Sequence, residues 1–164
     1  MLEGSLPRRG RGRIPGTLTP MKETESAAAM LLAAGIEPRR LLEYLPRVDP
    51  ATVLVRVAPG WFRRLWARGI VAMALPRGVY VQPEVMTRFR AGTDPDRTGR
   101  LIVHELTHIE QWRRLGALKH LTQYIADYLR GRFTGKGHWD SYRQVRLEVE
   151  ARLVASRIAG EGAR

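Results

Sequence analysis

The chain has 164 residues, 44% of them hydrophobic and 27% charged, with a net charge of +12 and no cysteine. That length and balance suit one globular domain with a real core. The missing thiols exclude disulfides and thiolate metal sites, so any metal must be held by imidazole and carboxylate.

Residues 1–20 combine proline and glycine breaks with Arg8, Arg9, Arg11 and Arg13. This composition predicts a disordered basic arm ahead of a folded domain at 21–164. Of the 28 basic residues, 25 are arginines spread along the whole sequence. They fit either an arginine-rich solvated surface or a partner with negative charge, with non-specific nucleic-acid binding running through the arm. The opening residues lack the apolar centre of a secretory signal. Glu23 and Glu25 precede the apolar run at 26–36, which therefore reads as a helix. The expected location is cytoplasmic, with no membrane span.

Helices are expected at 22–34 and 38–46, the second opened by Pro38. Alternating polarity from Thr52 to Pro59 predicts a strand, and "GWFRRLWARG" a short amphipathic helix. Two short strands should flank Pro76, Arg77 and Gly78 within Val71–Pro83, followed by a helical turn or two over "EVMTRFR". Asp94 and Pro95 supply an N-cap and a first helical position for a long central helix, which Gly116 stops. A helix over 117–130 should end at Gly131, and a last one should span 140–159. Helices, a few strands, then three helices make an α+β domain.

The central helix carries "VHELTH", with two of the four histidines in the chain. Residues four apart share one helix face, so His104 and His108 can place ring nitrogens on one ion. Zinc favours such ligands. Glu105 is turned about 100° from His104, too far to be a third ligand but placed to reach a water on the open side of a metal. A carboxylate there can take the water's proton and return it to a leaving amine. This is the H-E-x-x-H metallopeptidase motif. The alternative is a pair of core histidines bonded to backbone or carboxylate.

A catalytic zinc of this kind needs one more protein ligand. On the last helix Glu148 falls on the stripe with Val145, Ala151 and Ala155, whereas Glu150 falls opposite among Arg143, Arg146 and Arg157. A carboxylate on the buried stripe needs a cation, which favours Glu148 as the ligand; the alternative is a helix-edge carboxylate paired to arginine.

"HELTH" followed 40 residues later by "EVEA" resembles the gluzincin metallopeptidases, in particular small stand-alone bacterial domains of that type. The resemblance covers roughly 50–160. It implies a single zincin-like domain, with a small N-terminal sheet, a central H-E-x-x-H helix and a C-terminal helix bearing the third ligand. It also implies zinc on His104, His108 and Glu148, with Ala151 matching the family's alanine. Arg152 stands where that family often has aspartate, and Glu110 where it usually has an apolar residue. The family places an edge strand above the metal, where an extended peptide pairs with it. Arg77–Gln82 is the candidate, with Val79, Tyr80 and Val81 as substrate-binding residues. His138 and Tyr142 are candidates for stabilising charge on the tetrahedral intermediate, beside the plainer roles of surface and packing residue. The expected activity is zinc-dependent hydrolysis of peptide bonds with Glu105 as general base. The rivals are a basic nucleic-acid-associated protein and a zinc-bound, non-catalytic scaffold.

Overall fold

The computed structural model describes residues 24–161 apart from 68. The basic arm lies outside the described residues. The fold is mixed α+β. A short strand, β1 (Thr24–Ser26), runs into α1 (Ala27–Ala33), whose first turn is capped by the Ser26 hydroxyl accepting from the Ala29 N–H at 3.1 Å. A 3-10 helix follows at Pro38–Glu43, then β2 (Leu54–Val57) and the single turn α2 (Gly60–Arg63). Two strands, β3 (Ala72–Leu75) and β4 (Gly78–Val81), form a hairpin around Pro76 and Arg77, and α3 (Pro83–Arg90) opens on a proline.

The central helix α4 (Pro95–Leu115) begins and ends where the sequence places it. Asp94 adopts a left-handed conformation and its carboxylate accepts from the Arg97 N–H at 3.3 Å. Gly116, at φ 75°, ends the helix in a conformation that a side chain would resist. Helix α5 (Ala117–Phe133) passes straight through Gly131, where the sequence predicts a stop. The expected last helix is two: α6 (His138–Arg143) and α7 (Arg146–Glu161), broken at Gln144 and Val145.

The sheet order is β1-β2-β4-β3, with β2 and β4 parallel and the outer pairs antiparallel. Its inner face supplies Val55, Val79 and Val81 to the core, which meet Ile102, Val103, Leu106 and Ile109 of α4. Met30 and Leu31 of α1 and Ala155 and Ile158 of α7 close the same core. Helices α1 and α4 approach closely because Gly99 has no side chain: a Cβ there would sit 2.6 Å from that of Ala34. Burying roughly twenty such residues is the main favourable term for a domain of this size.

This order corrects the expectation for the edge strand. β4 pairs on both sides, with β2 and with β3, so its main chain has no edge to offer. Val79 and Val81 are wholly buried in the core, and Tyr80 packs edge-on against Phe62 at 5.4 Å. Among the described residues the edges of the sheet are β1 and β3, and β3 is the one beside β4. Two adjacent strands joined by a tight turn have indistinguishable local patterns. Which of them lies outermost depends on β2, some twenty residues earlier.

Candidate functional site

Helix α4 presents His104 and His108 one turn apart, and α7 packs against it with Glu148 in its first turn. The two Nε2 atoms are 3.1 Å apart. The Glu148 carboxylate spans them, with Oε2 3.4 Å from His104 Nε2 and Oε1 3.4 Å from His108 Nε2. One ligand atom from each of the three residues falls within 4.8 Å of the others, so the group could hold one metal ion. The buried stripe is as expected: Val145, just before α7, and Leu147, Glu148, Ala151, Ala155 and Ile158 on it are all buried.

His108 and Glu148 are each held by a neighbour outside the group. Gln111, wholly buried, brings Oε1 to 2.8 Å from His108 Nδ1. Its amide nitrogen donates to the Leu147 carbonyl at 2.9 Å and to Glu150 Oε2 at 3.1 Å. The Nδ1 contact fixes the ring and leaves Nε2 facing Glu148. The Tyr124 hydroxyl of α5 donates to Glu148 Oε1 at 3.3 Å. Asp127, one turn further along α5, accepts from the Arg146 main-chain N–H at 3.1 Å and from its guanidinium at 2.9 and 3.1 Å. That clamp sets the start of α7 two residues before Glu148.

The electrostatics follow from burial and proximity. Burial works against charge on Glu148, but the hydrogen bonds and charge of His104 and His108 hold its carboxyl far below the usual range. Burial also opposes the His108 imidazolium; Glu148, Glu105 and Gln111 outweigh it and raise the ring to about 9. Glu105, 5% exposed, is raised mainly by burial, against the pull of both histidines and of hydrogen bonding from the Ala74 main chain on β3. The Tyr124 and Tyr142 phenols are pushed up by burial and by the Glu148 charge.

Two cavities meet at this group. One of about 460 Å³ extends along the first half of α4, and one of about 300 Å³ along the second half. His104, Glu105 and Tyr142 line both. Tyr142 is thus brought to the site. His138 is not: it is exposed, bonds to the Tyr128 hydroxyl at 2.9 Å and lines neither cavity. Val79, Tyr80 and Val81 line neither cavity as well. Glu150 is outside the ligand group, as expected, but its partners are Gln111 and Arg114 of α4 rather than arginines of its own helix. Glu110 is buried and paired, accepting from the Arg47 N–H at 2.8 Å and its guanidinium at 3.0 Å. That ion pair explains a carboxylate at an otherwise apolar position.

Sequence reasoning missed Gln111, Tyr124 and the Asp127 clamp. Gln111 had a usable signal, since it lies three residues after His108 on the buried face of α4. Tyr124 and Asp127 carry none, because their partners come from another helix.

No protein-family model, curated protein or solved structure matches this chain. No helix among the described residues is long and apolar enough to cross a membrane.

Proposed function

We propose that this protein is a zinc-dependent metallopeptidase built on a zincin-like domain. One observation carries the reading: His104, His108 and Glu148, drawn from two helices and separated by up to 44 positions in sequence, bring their ligand atoms within 4.8 Å of one another. The donor set fits zinc, since two imidazoles and one carboxylate are a catalytic rather than a structural combination. Zinc held there would act as a Lewis acid toward water and a peptide carbonyl.

The chain's own residues supply the rest. Burial raises the Glu105 carboxyl above its ordinary range, which suits a group that must accept a proton from attacking water and then deliver it to the departing amine. Tyr142 lines both cavities and can offer its hydroxyl to the developing oxyanion. No strand pairs with the outer edge of β3 among the described residues, its Ala74 main chain reaches Glu105, and its Ala72 and Ala74 line the smaller cavity. An extended peptide pairing with that edge would lie across Glu105.

The test is metal content by elemental analysis of the wild type beside Glu148→Ala and Glu150→Ala, with turnover of a broad peptide library. Stoichiometric zinc in the wild type and Glu150→Ala but not in Glu148→Ala, with chelator-sensitive cleavage, supports the reading. Zinc-free wild-type protein overturns it. Stoichiometric zinc with no cleavage of any peptide supports the scaffold instead.

A further inference from the structure

The two cavities at the ligand group differ in charge. The larger is walled by Arg88 of α3, Arg97 and Arg100 of α4, and Arg152 of α7. Among the described residues its one acidic lining residue is Glu105, at the end shared with the other cavity. The smaller is walled by Trp112, His120, Leu121 and Tyr124, beside the apolar residues of β3, and no arginine or lysine lines it among the described residues.

Elsewhere the fold neutralises several of its arginines: Arg47 pairs with Glu110, Arg90 with Glu25, Arg114 with Glu150 and Arg146 with Asp127. Among the described residues, none of the four cavity arginines is paired with a carboxylate. Arg152 donates to the Arg143 carbonyl and Arg97 uses its main-chain N–H on Asp94. Arg88 and Arg152 are half-buried, so their charge acts in a partly dehydrated wall. Four guanidinium groups from three helices around one concavity focus a positive potential on whatever enters it. They match a carboxylate better than any neutral group, because a guanidinium can donate to it in parallel pairs.

The sheet gives the direction. Ile70 and Ala72 border both cavities, Gly69 and Val71 at the approach to β3 border only the arginine cavity of the two, and Met73, Ala74 and Leu75 toward its end border only the apolar one. Antiparallel pairing is the stronger mode of strand addition. A peptide adding to β3 in that mode places residues after the scissile bond beside the start of β3. Residues before the bond lie beside its end.

We propose that the site selects extended peptides carrying a carboxylate just after the scissile bond, received by Arg88, Arg97, Arg100 and Arg152, and an apolar or aromatic residue just before it. This specificity rests on the peptidase reading for its scissile bond, but the binding preference stands apart from turnover.

The test uses end-blocked fluorescent peptides of one length, with Phe before the central bond and Glu, Gln or Lys at the two positions after it. A fourth peptide has Gln at those positions and a free carboxyl terminus directly beyond. Binding is read by anisotropy on the full chain carrying Glu105→Gln, with and without added zinc, and cleavage is read separately on the wild type. The Glu peptide should bind about tenfold tighter than the Gln peptide, the Lys peptide weaker still, and the preference should shrink in salt. A gain for the fourth peptide alone would assign the arginines to a chain terminus rather than to an acidic side chain. Arg100→Gln combined with Arg152→Gln should bring Glu and Gln peptides within about twofold, while the Arg→Lys pair keeps part of the preference. Equal binding of all four peptides overturns the proposal, as does a preference that survives in a folded Arg→Gln pair. Acid-selective binding without cleavage leaves this inference standing and removes the peptidase; cleavage indifferent to charge does the reverse.

Discussion

Gln111 Oε1 lies 2.8 Å from His108 Nδ1, and the same side chain donates to the Leu147 carbonyl, one residue before Glu148. One buried amide therefore orients a histidine of α4 and fixes the distance to the carboxylate of α7. Gln111→Leu should lower zinc affinity roughly 10- to 100-fold, as losses of such supporting contacts do. It should also destabilise the fold by about 1–3 kcal/mol, because the Leu147 carbonyl loses its buried donor. Competition with a chromogenic chelator measures the first effect and urea unfolding the second. Unchanged zinc affinity would remove Gln111 from the site.

Glu105 neighbours His104, and its carboxyl is raised above its ordinary range by burial. Glu105→Gln keeps its volume and removes its basicity. Peptide turnover should fall at least about 100-fold, while zinc stoichiometry stays that of the wild type. The two readouts separate a proton-transfer role from a ligand role.

Asp127 has its carboxyl held below the usual aspartate range, chiefly by hydrogen bonding from Arg146, whose main-chain N–H and guanidinium it accepts. A depressed folded-state value means stability that is present above the unfolded value of about 3.9 and is lost as pH falls through the folded one. Asp127→Asn should therefore be less stable than the wild type by a constant margin from pH 6 to 8. That margin should close below about pH 4. Because the Arg146 side chain is 68% exposed, the margin should be small and should narrow in high salt. Urea midpoints at pH 7 and pH 3 are the measurement, and a margin independent of pH would be the contrary result.

Gly99 is buried where α4 crosses α1, and a Cβ there would lie 2.6 Å from that of Ala34 and 2.8 Å from Ile36 Cδ1. Helix propensity alone favours alanine, but overpacking should win. Gly99→Ala should lose about 1–3 kcal/mol of stability in thermal or urea unfolding. A stabilised variant would mean that the two helices separate at little cost.

Much of the site was legible from local rules. Asp94, Pro95 and Gly116 bracket α4 because capping chemistry is local. Helix geometry then separates Glu148 from Glu150 without knowledge of any contact, and burial bears out the distinction: Glu148 is 4% exposed and Glu150 is paired at the margin. The features that escaped depend on partners distant in sequence. β1 has three residues and exists through pairing with β2. The outermost strand is decided by β2 reaching β4. Glu110 looks anomalous until Arg47, 63 positions away, meets it. The interruption at Gln144 and Val145 carries neither proline nor glycine, so the apolar period runs through it unmarked.

That interruption has its own effect on Glu148. Starting a new helix at Arg146 puts this carboxylate in the opening turn, where amide groups not yet engaged by the spiral present a partial positive charge. Had α6 run on unbroken, the same glutamate would sit mid-helix, without that field and about 0.3–1 kcal/mol poorer in support for its ionised form. The break thus adds main-chain support for the ionised form of Glu148 to that of the two imidazoles.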